Sequence, residues 1–282
     1  MVEHRRFGNL LPHLVLLAGV LIVAFPIYLA VIASTHDNAV IANGAMPLTP
    51  GSLGYETYAK TLFTGTGKTT REPVGGMMLN SLIMALGIAA GKIAISIISA
   101  YAIVFFSFPF RMTAFWTIFI TLMLPVEVRI YPTYKITSDL HMLDSYAGLI
   151  LPLIASATAT LLFRQFFMTV PKELVEASKI DGAGPIRFFW DTLLPLSVTN
   201  IAALFVILFI YGWNQYLWPL LITTRDDMQT IVIGIKKIID VHDALTEWQV
   251  AMATAVLAML PPVAVVVLMQ RLFVKGLIET EK

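Results

Sequence analysis

Cysteine is absent from the 282 residues, and its absence excludes disulfide bonds, thiolate metal sites and cysteine nucleophiles. Charge is scarce as well, because Asp, Glu, Lys and Arg supply only 13% of the residues, whereas soluble domains contain about 25%. The net charge of +1 offers no electrostatic basis for binding nucleic acid. We therefore expect no nucleic-acid partner and no chemistry that depends on a thiol.

The patterns that carry enzyme chemistry are missing too. There is no HExxH or GxSxG motif, and no apolar segment holds a pair of carboxylates. The five histidines are scattered, so we expect no metal site and no catalytic residue. The segment TGTGKTT (Thr64–Thr70) contains part of a phosphate-loop pattern, but Leu62 stands where that pattern requires glycine. We interpret the segment as a flexible polar loop, and a membrane-embedded enzyme is disfavoured.

Long apolar runs occupy most of the sequence, of which 57% is hydrophobic. A membrane-spanning helix needs about 20 mostly apolar residues. The runs predict an all-α, polytopic membrane protein with a single transmembrane domain over residues 1–282 and six spans. The predicted spans are Leu10–Ala33, Met77–Phe106, Thr113–Tyr131, Ser145–Met168, Ile201–Thr223 and Ala251–Phe273. The third is short and contains Pro125, which predicts a kink or an early end.

Lys and Arg residues set the expected orientation. Placing both termini in the cytoplasm puts slightly more of them on the inner side, as the positive-inside rule requires. The outer side then holds three loops, Ser34–Gly76, Glu127–Asp144 and Thr224–Val250. The last contains TIVIGIKKIID, which predicts a short helix at the membrane interface. The polar stretch Pro171–Leu196 falls on the cytoplasmic side.

Polar side chains within or beside the spans are the candidates for lining a pathway. Lys92 lies near the centre of the second span, where an unpaired charge is costly; a pathway role and a structural ion pair are equally good interpretations. Glu127 and Arg129 follow Pro125, and we favour a surface pair over direct substrate contact. Asn214 and Gln215 fall inside the fifth span, and we expect one of these two amides to face a pathway.

Two glycines of the second span, Gly87 and Gly91, have the spacing that lets helix backbones approach closely. The alternative is that glycine is simply frequent in membrane helices.

The stretch Pro171–Leu196 reads as helix, turn, helix. Pro171 suits the first position of a helix, and Gly182 can end that helix in a left-handed conformation. Pro185 starts a second helix that must end near Pro195. Leu174, Ala177 and Ser178 are expected on one face of the first helix, and Phe188, Phe189, Leu193 and Leu194 are expected to provide an apolar flank on the second. A capped helical pair of this kind is suited to docking with another protein.

The pattern EASKIDGAG followed by LLP resembles the EAA loop of the permeases of ABC importers. Glu176, Ala177, Gly182, Leu194 and Pro195 match the pattern, whereas Ser178 replaces its second alanine and Thr192 its usual isoleucine. Three long segments resemble the sn-glycerol-3-phosphate branch of the family, which is related to the small permease of the maltose importer. They are FITLMLPVEVRIYPTY, LDSYAGLILPLIASATATLLFRQFFMT and FIYGWNQYLWPLLIT.

The resemblance implies the type I ABC importer permease fold in the bacterial inner membrane. It implies a heterodimer with a homologous second permease, two ATPase subunits below it and a periplasmic solute-binding protein above it. ATP and Mg²⁺ would bind to the partner ATPase subunits, this chain would bind no cofactor, and membrane lipid would be a further partner. Residues 169–196 would form the coupling loop. The expected ATPase-coupling residues are Glu176, Ala177, Ser178, Asp181, Gly182 and Ala183.

The resemblance also implies a substrate. It implies import of sn-glycerol-3-phosphate, with its diesters as a further candidate, through a path of which this chain forms half. Lys92 and Arg129 are candidates for a cationic patch in that path. Glu176 is expected to pair with a basic group of the ATPase, and Asp181 either faces the ATPase or caps its own turn. The alternatives are a sugar or polyol permease of the same family and a secondary transporter that acts alone.

Overall fold

All the regular secondary structure described is helical. The computed structural model describes residues 10–65, 72–121, 124, 126–240 and 246–279, with side chains for all of these except 10, 11, 126, 127 and 271–279. The α-helices are α1 Leu10–Ala33, α2 Asn38–Ala42, α3 Gly54–Phe63, α4 Val74–Phe105, α5 Arg111–Ile120, α6 Val126–Asp139, α7 Tyr146–Ile150, α8 Ala157–Thr169, α9 Lys172–Ile180, α10 Pro185–Phe188, α11 Leu194–Leu196, α12 Val198–Trp213, α13 Leu217–Ile222, α14 Ile231–Ile239 and α15 Trp248–Glu279. Short 3₁₀ segments cover Leu151–Leu153 and Asp226–Met228, and a π-helix covers Phe189–Leu193.

Three helices are each long and apolar enough to cross a membrane. Their qualifying stretches are Pro12–Ala33 in α1, Val74–Phe105 in α4 and Trp248–Gln270 in α15. Two bent pairs qualify if each is counted as one span: Tyr146–Leu153 with Ala157–Thr169, bent by 49°, and Pro185–Leu196 with Val198–Trp213, bent by 71°. The described part of the chain thus contains three to five candidate spans, which confirms a helical, multi-span protein at this coarser level.

The third and fifth predicted spans are not single helices. Helix α5 ends at Ile120 and α6 begins at Val126, whereas Pro125, where a kink or early end was expected, lies outside the described residues. Helix α12 ends at Trp213, with Asn214 as its C-cap, and α13 begins only at Leu217. Placing Asn214 and Gln215 inside a continuous span was therefore wrong, because both amides lie in the connection between two helices.

The fourth predicted span is interrupted where Pro152 enters a 3₁₀ turn. Ser145 caps α7 by accepting a hydrogen bond from the Gly148 N–H at 3.1 Å. Ser156 caps α8 by accepting one from the Ala159 N–H at 3.2 Å. Backbone groups at a break inside a membrane need such partners, because lipid supplies none. Both half-helices thus begin with their own cap.

Two compact units make up the chain, Met1–Met77 with Gly234–Leu260 and Met78–Ile233 with Pro261–Lys282; the single transmembrane domain stays a prediction. In the first unit Thr35 organises the chain after α1. Its carbonyl accepts a hydrogen bond from the Leu53 N–H at 3.0 Å, and its Oγ1 accepts one from the Gly51 N–H at 2.7 Å. A Cβ at Gly51 would lie 2.4 Å from the Thr35 carbonyl oxygen, so this turn needs glycine.

A buried cluster forms the core of the second unit. Trp218 donates a hydrogen bond from Nε1 to the Gly148 carbonyl at 3.1 Å, which satisfies the one polar atom of its ring system. The members of the cluster are Met84, Ile88, Leu149, Trp218 and Ile222. It joins α4, α7 and α13 and so fixes the helices around the candidate site.

Close packing explains the two glycines of α4. A Cβ at Gly87 would lie 2.6 Å from Cδ1 of Ile150, and a Cβ at Gly91 would lie 2.5 Å from Cγ2 of Ile154. Each glycine therefore provides room for an isoleucine from the interrupted span. The nearest atoms are those of side chains, so the two glycines allow side-chain packing, and the expected close approach of helix backbones stays a prediction.

The carboxylate of Asp144 holds the start of the predicted third outer loop. It accepts hydrogen bonds from the Thr224 hydroxyl at 2.5 Å and from the N–H groups of Thr224 and Arg225 at 2.6 and 2.9 Å. Partial burial by itself raises the pKa of Asp144, but these hydrogen bonds outweigh it, and the pKa lies below its ordinary value of 3.8. A carboxyl group whose pKa is lowered by folding stabilises the folded state at pH values above its pKa in the unfolded chain. This stabilisation is lost as the pH falls through the pKa of the folded state.

We expect Asp144→Asn to loosen this contact. Asp144 has a φ of 51°, which asparagine tolerates as well as aspartate does, so the substitution removes charge without backbone strain. The loss should be about 1 kcal/mol or less, since the site is largely exposed. Hydrogen exchange of residues 224–230 at neutral pH should accelerate, and the wild type should approach the variant only below about pH 4. Equal exchange of the two proteins at pH 7 would contradict this.

Candidate functional site

The turn between α9 and α10 is closed by its own backbone. Gly182 has a φ of +73°, as expected, and its N–H donates to the Lys179 carbonyl at 3.1 Å. The Ala183 N–H donates to the Ser178 carbonyl at 2.9 Å. These two bonds form a Schellman motif, the common glycine-dependent end of a helix. The Asp181 carboxylate accepts none of the described hydrogen bonds, so nothing supports its capping of the turn.

Helix α9 presents a different inner face from the predicted one. Pro171 is its N-cap, with a ψ of 137°, and the helix begins at Lys172, one residue later than expected. Val175 and Ser178 are partly buried, whereas Leu174 is 38% exposed and Ala177 is also exposed. Only Ser178 of the predicted face points inward. Val175 and Ser178 are three residues apart and share one face, and they line a groove beside α4.

The second limb of the loop packs as predicted. Pro185 begins α10, Phe188 and Leu193 are 5% and 0% exposed, and Phe189 and Leu194 are partly buried. The limb ends at Leu196, one residue after Pro195. It passes through a π-helical turn, in which the Leu194 N–H bonds to the Phe189 carbonyl. Pro195, which has no N–H to donate, follows directly.

Aromatic side chains join this loop to the end of α4. The Tyr101 hydroxyl donates a hydrogen bond to the Pro185 carbonyl at 2.8 Å. The Tyr101 ring lies 5.1 Å from that of Phe189, and Phe105 lies 5.5 Å from Phe188. Pairs at these distances are each worth about 0.5–1.5 kcal/mol beyond their burial. The loop and α4 are therefore tied together by several contacts.

Removing the Tyr101 hydroxyl should loosen the loop without removing the ring. We expect Tyr101→Phe to raise amide exchange in residues 172–188 about fivefold, which corresponds to the loss of one hydrogen bond worth about 1 kcal/mol. Tyr131→Phe is a matched control, because Tyr131 is 72% exposed. Unchanged exchange in Tyr101→Phe would show that the aromatic contacts alone hold the loop.

The opposite side of the loop is exposed. Ile180, Ile186 and Trp190 are 86%, 76% and 60% exposed, and the side chains of Glu176 and Asp181 are exposed too. Large apolar side chains grouped with charges on a rigid element mark an interaction surface. We call this group (Glu176, Ile180, Asp181, Ile186 and Trp190) the exposed face of the loop.

Lys92 and Arg129 line one cavity in the second unit, and its volume is about 730 Å³. Lys92 is 7% exposed, and its Nζ lies 3.9 Å from the centroid of the Tyr211 ring. A smaller adjoining pocket shares Lys92, Arg129 and Tyr211 and adds Gln215, whose Nε2 donates to the Tyr211 carbonyl at 3.2 Å. The structure therefore brings together Lys92, Arg129 and Gln215.

The remaining two candidates are not part of this cluster. Asn214 is exposed and does not line either pocket. The side chain of Glu127 lies outside the described residues, as does the segment 66–70 of TGTGKTT.

Sequence reasoning missed the start of α8, which also lines the cavity. Ser156, Ala157, Thr158 and Thr160 face it, because the interrupted span starts a new helix there. Pro152 followed by Ser156 was the available signal: a proline that breaks the helix, then a residue that favours helix N-caps.

Known proteins resemble the chain over most or all of its length. A family model for "binding-protein-dependent transport system inner membrane component" matches residues 81–279. The sn-glycerol-3-phosphate transport system permease protein UgpE of Rhizobium meliloti (strain 1021) is 59% identical over 282 residues and 100% of both chains. The protein of the same name from Yersinia pestis bv. Antiqua (strain Antiqua) is 54% identical over the same extent.

One solved structure shows the same fold. It is a chain of a bacterial ABC transporter involved in the import of the acidic polysaccharide alginate. The TM-score is 0.80, with 96% of this chain and 99% of that chain covered, and the sequence identity is 18%.

Proposed function

The chain belongs to the family of binding-protein-dependent transport system inner membrane components, and from this premise we propose that it forms half of the translocation path of an ATP-driven importer for sn-glycerol-3-phosphate. Membership of this family confirms the resemblance to ABC importer permeases. It also confirms that the chain is a multi-pass protein of the bacterial inner membrane. The chain is similar along its whole length to relatives named for sn-glycerol-3-phosphate transport. This similarity is the observation that supports sn-glycerol-3-phosphate as the substrate.

The proposed topology has six spans and two cytoplasmic termini. Helices α1, α4 and α15 each cross the membrane, and the bent pair Tyr146–Leu153 with Ala157–Thr169 provides a fourth crossing. Helix α12 provides a fifth, without the segment Pro185–Leu196 that precedes it in its bent pair. The remaining crossing is the predicted span Thr113–Tyr131, which includes most of α5. The slight excess of Lys and Arg on the inner side supports this orientation, which places the helical pair α9–α11 in the cytoplasm.

The exposed face of the loop is the proposed contact with an ATPase subunit. ATP and Mg²⁺ bind to the two ATPase subunits, and this chain contributes no ATP site. Glu176 meets a basic group of the ATPase, and Asp181 faces it too, because its carboxylate is exposed and makes no described bond to its own turn. Ala177 adds a small exposed side chain and Gly182 the turn, whereas Ser178 and Ala183 line the groove beside α4 and support the contact from the inner side.

Helix α4 provides a route from this loop to the cavity. Tyr101 and Phe105 attach to the loop, and Lys92 lies about 14 Å farther along the same continuous helix, at 1.5 Å per residue. Closure of the ATPase dimer would displace the loop as a rigid body and carry α4 with it, a form of alternating access. The second permease subunit supplies the other half of the path, and a periplasmic binding protein delivers the solute.

Co-purification and transport together test this proposal. A tagged chain extracted from its own membrane should bring with it a second permease and an ATPase. In proteoliposomes, that complex with its binding protein should take up sn-glycerol-3-phosphate only when ATP is present. Uptake of maltodextrin or a polyol in its place would favour the sugar-permease alternative. Ion-driven uptake by the chain alone would contradict an ABC importer.

A further inference from the structure

We infer that the cavity of the second unit holds the phosphoryl group of the solute between Lys92, Arg129 and the N-terminus of α8. The inference rests on the proposed function, because it assigns the anionic part of that substrate to residues of this chain. It adds a backbone site to the two cationic side chains.

Lys92 is a buried cation that has no carboxylate partner among the described side chains. It is 7% exposed and faces the cavity, and among the described side chains no carboxylate lies within ion-pair distance of its ammonium group. Its described partner is the face of Tyr211, which stabilises a cation less than a carboxylate would. A buried cation without a counter-ion is costly, and a bound phosphate would remove that cost.

Arg129 makes the case stronger, because it adds a second positive charge to the same cavity. No Asp or Glu occurs among the described residues that line either pocket. The cavity therefore carries positive charge without a described acidic residue to balance it, which suits an anion and not a neutral sugar.

The N-terminus of α8 supplies the third element. Helix α8 has 13 residues, and the first N–H groups of a helix have no partner within it. Ser156 accepts from the Ala159 N–H, but none of the described hydrogen bonds uses the N–H of Ala157 or Thr158. Both residues line the cavity with Lys92 and Arg129. Free N–H groups and the positive end of the helix dipole make such a terminus an anion-binding site.

Packing holds these elements in register. Gly91, which precedes Lys92, accommodates Ile154 just before the start of α8. One helical turn after Lys92, the Ser96 hydroxyl donates to the Ser156 carbonyl at 3.2 Å. Helix α4 thus positions both the ammonium group and the half-helix. A volume of about 730 Å³ is within the usual range for small-molecule sites.

The test uses the complete transporter with its binding protein in proteoliposomes, and its readout is the initial rate of sn-glycerol-3-phosphate uptake. Lys92→Met removes the charge at similar length, whereas Lys92→Arg keeps it. Ala157→Pro removes one N–H at a position where proline is compatible with a helix, whereas Ala157→Val adds bulk and keeps the N–H. Lys135→Met removes an exposed lysine outside the cavity. Each variant is first checked for assembly with its partners.

We expect Lys92→Met and Ala157→Pro each to lower the maximal uptake rate about tenfold or more, as the loss of a charge-assisted bond to phosphate predicts. Lys135→Met should stay within about twofold of wild type, whereas Lys92→Arg and Ala157→Val should each retain several times the uptake rate of Lys92→Met and Ala157→Pro, respectively. The solute concentration for half-maximal uptake should change little, because the binding protein captures the solute. A role in packing alone would not explain a higher uptake rate in Lys92→Arg than in Lys92→Met.

Wild-type uptake in Lys92→Met would overturn the inference, and so would an equal loss in Lys92→Arg and Lys92→Met. If Lys92→Met does not assemble, the Ala157→Pro and Ala157→Val pair decides, and equal rates for these two variants would overturn it. A wild-type complex that takes up no sn-glycerol-3-phosphate contradicts the proposed function itself, which is a separate result.

Discussion

Gly182→Pro should abolish transport while leaving the chain inserted in the membrane. Proline fixes φ near −65°, whereas Gly182 has a φ of +73°, so the turn cannot keep its shape. The substitution also removes the N–H that donates to the Lys179 carbonyl. Together these changes cost about 3 kcal/mol or more, and they redirect α9 relative to α10. Solute-stimulated ATP hydrolysis by the reconstituted complex is the measurement.

Gly184 offers a matched control two residues away in the same turn. A Cβ at either Gly182 or Gly184 would meet no atom within 4 Å, but only Gly182 has a positive φ. Gly184→Ala should therefore hydrolyse ATP at the wild-type rate, and Gly182→Asn should fall between the extremes because asparagine tolerates the left-handed region. Normal solute-stimulated hydrolysis in Gly182→Pro would show that the shape of the turn does not matter for coupling.

Much of the structure of the proposed coupling loop could be predicted because local rules determine it. Gly182 ends one helix and Pro185 begins the next through their own backbone preferences, and neither depends on distant contacts. Local rules did not predict correctly which side of α9 faces inward. Its short amphipathic sequence allows more than one inward side, and the choice of Val175 over Leu174 depends on the neighbouring end of α4. Tertiary packing decides such cases.

The cavity could be predicted only in part. Lys92 is a strong signal by itself, because an ionisable residue deep in a span demands an explanation. Its association with Arg129 and the start of α8 depends on where two spans are interrupted. Hydropathy does not show such breaks, since Ser145–Met168 reads as one apolar run, although it contains two capped half-helices. The position of Gln215 follows likewise from the break after Trp213.

Gly212→Val should disrupt the packing that forms the cavity. Gly212 lies in α12 where this helix crosses α4, and a Cβ there would lie 2.9 Å from the Cα of Ala85. Real Cβ contacts are essentially never that short, so the helices must move apart. Overpacking of this kind costs about 1–3 kcal/mol, and a branched side chain adds to it. Since the preceding residue, Tyr211, covers Lys92, separating the helices also displaces the cation from its aromatic partner.

The yield of assembled transporter and its uptake rate measure this effect. Gly212→Ala should reduce both moderately, and Gly212→Val should reduce uptake at least tenfold, because the loss of packing and the displacement of Tyr211 act together. Gly19→Val is the control, since a Cβ at Gly19 of α1 meets nothing within 4 Å. Ala85→Gly should restore Gly212→Ala only slightly, because the nearest atom is the Cα of Ala85 and not its methyl group, which lies at 3.4 Å. Full rescue by Ala85→Gly would instead mean that side-chain contact, and not backbone approach, sets the crossing of α4 and α12.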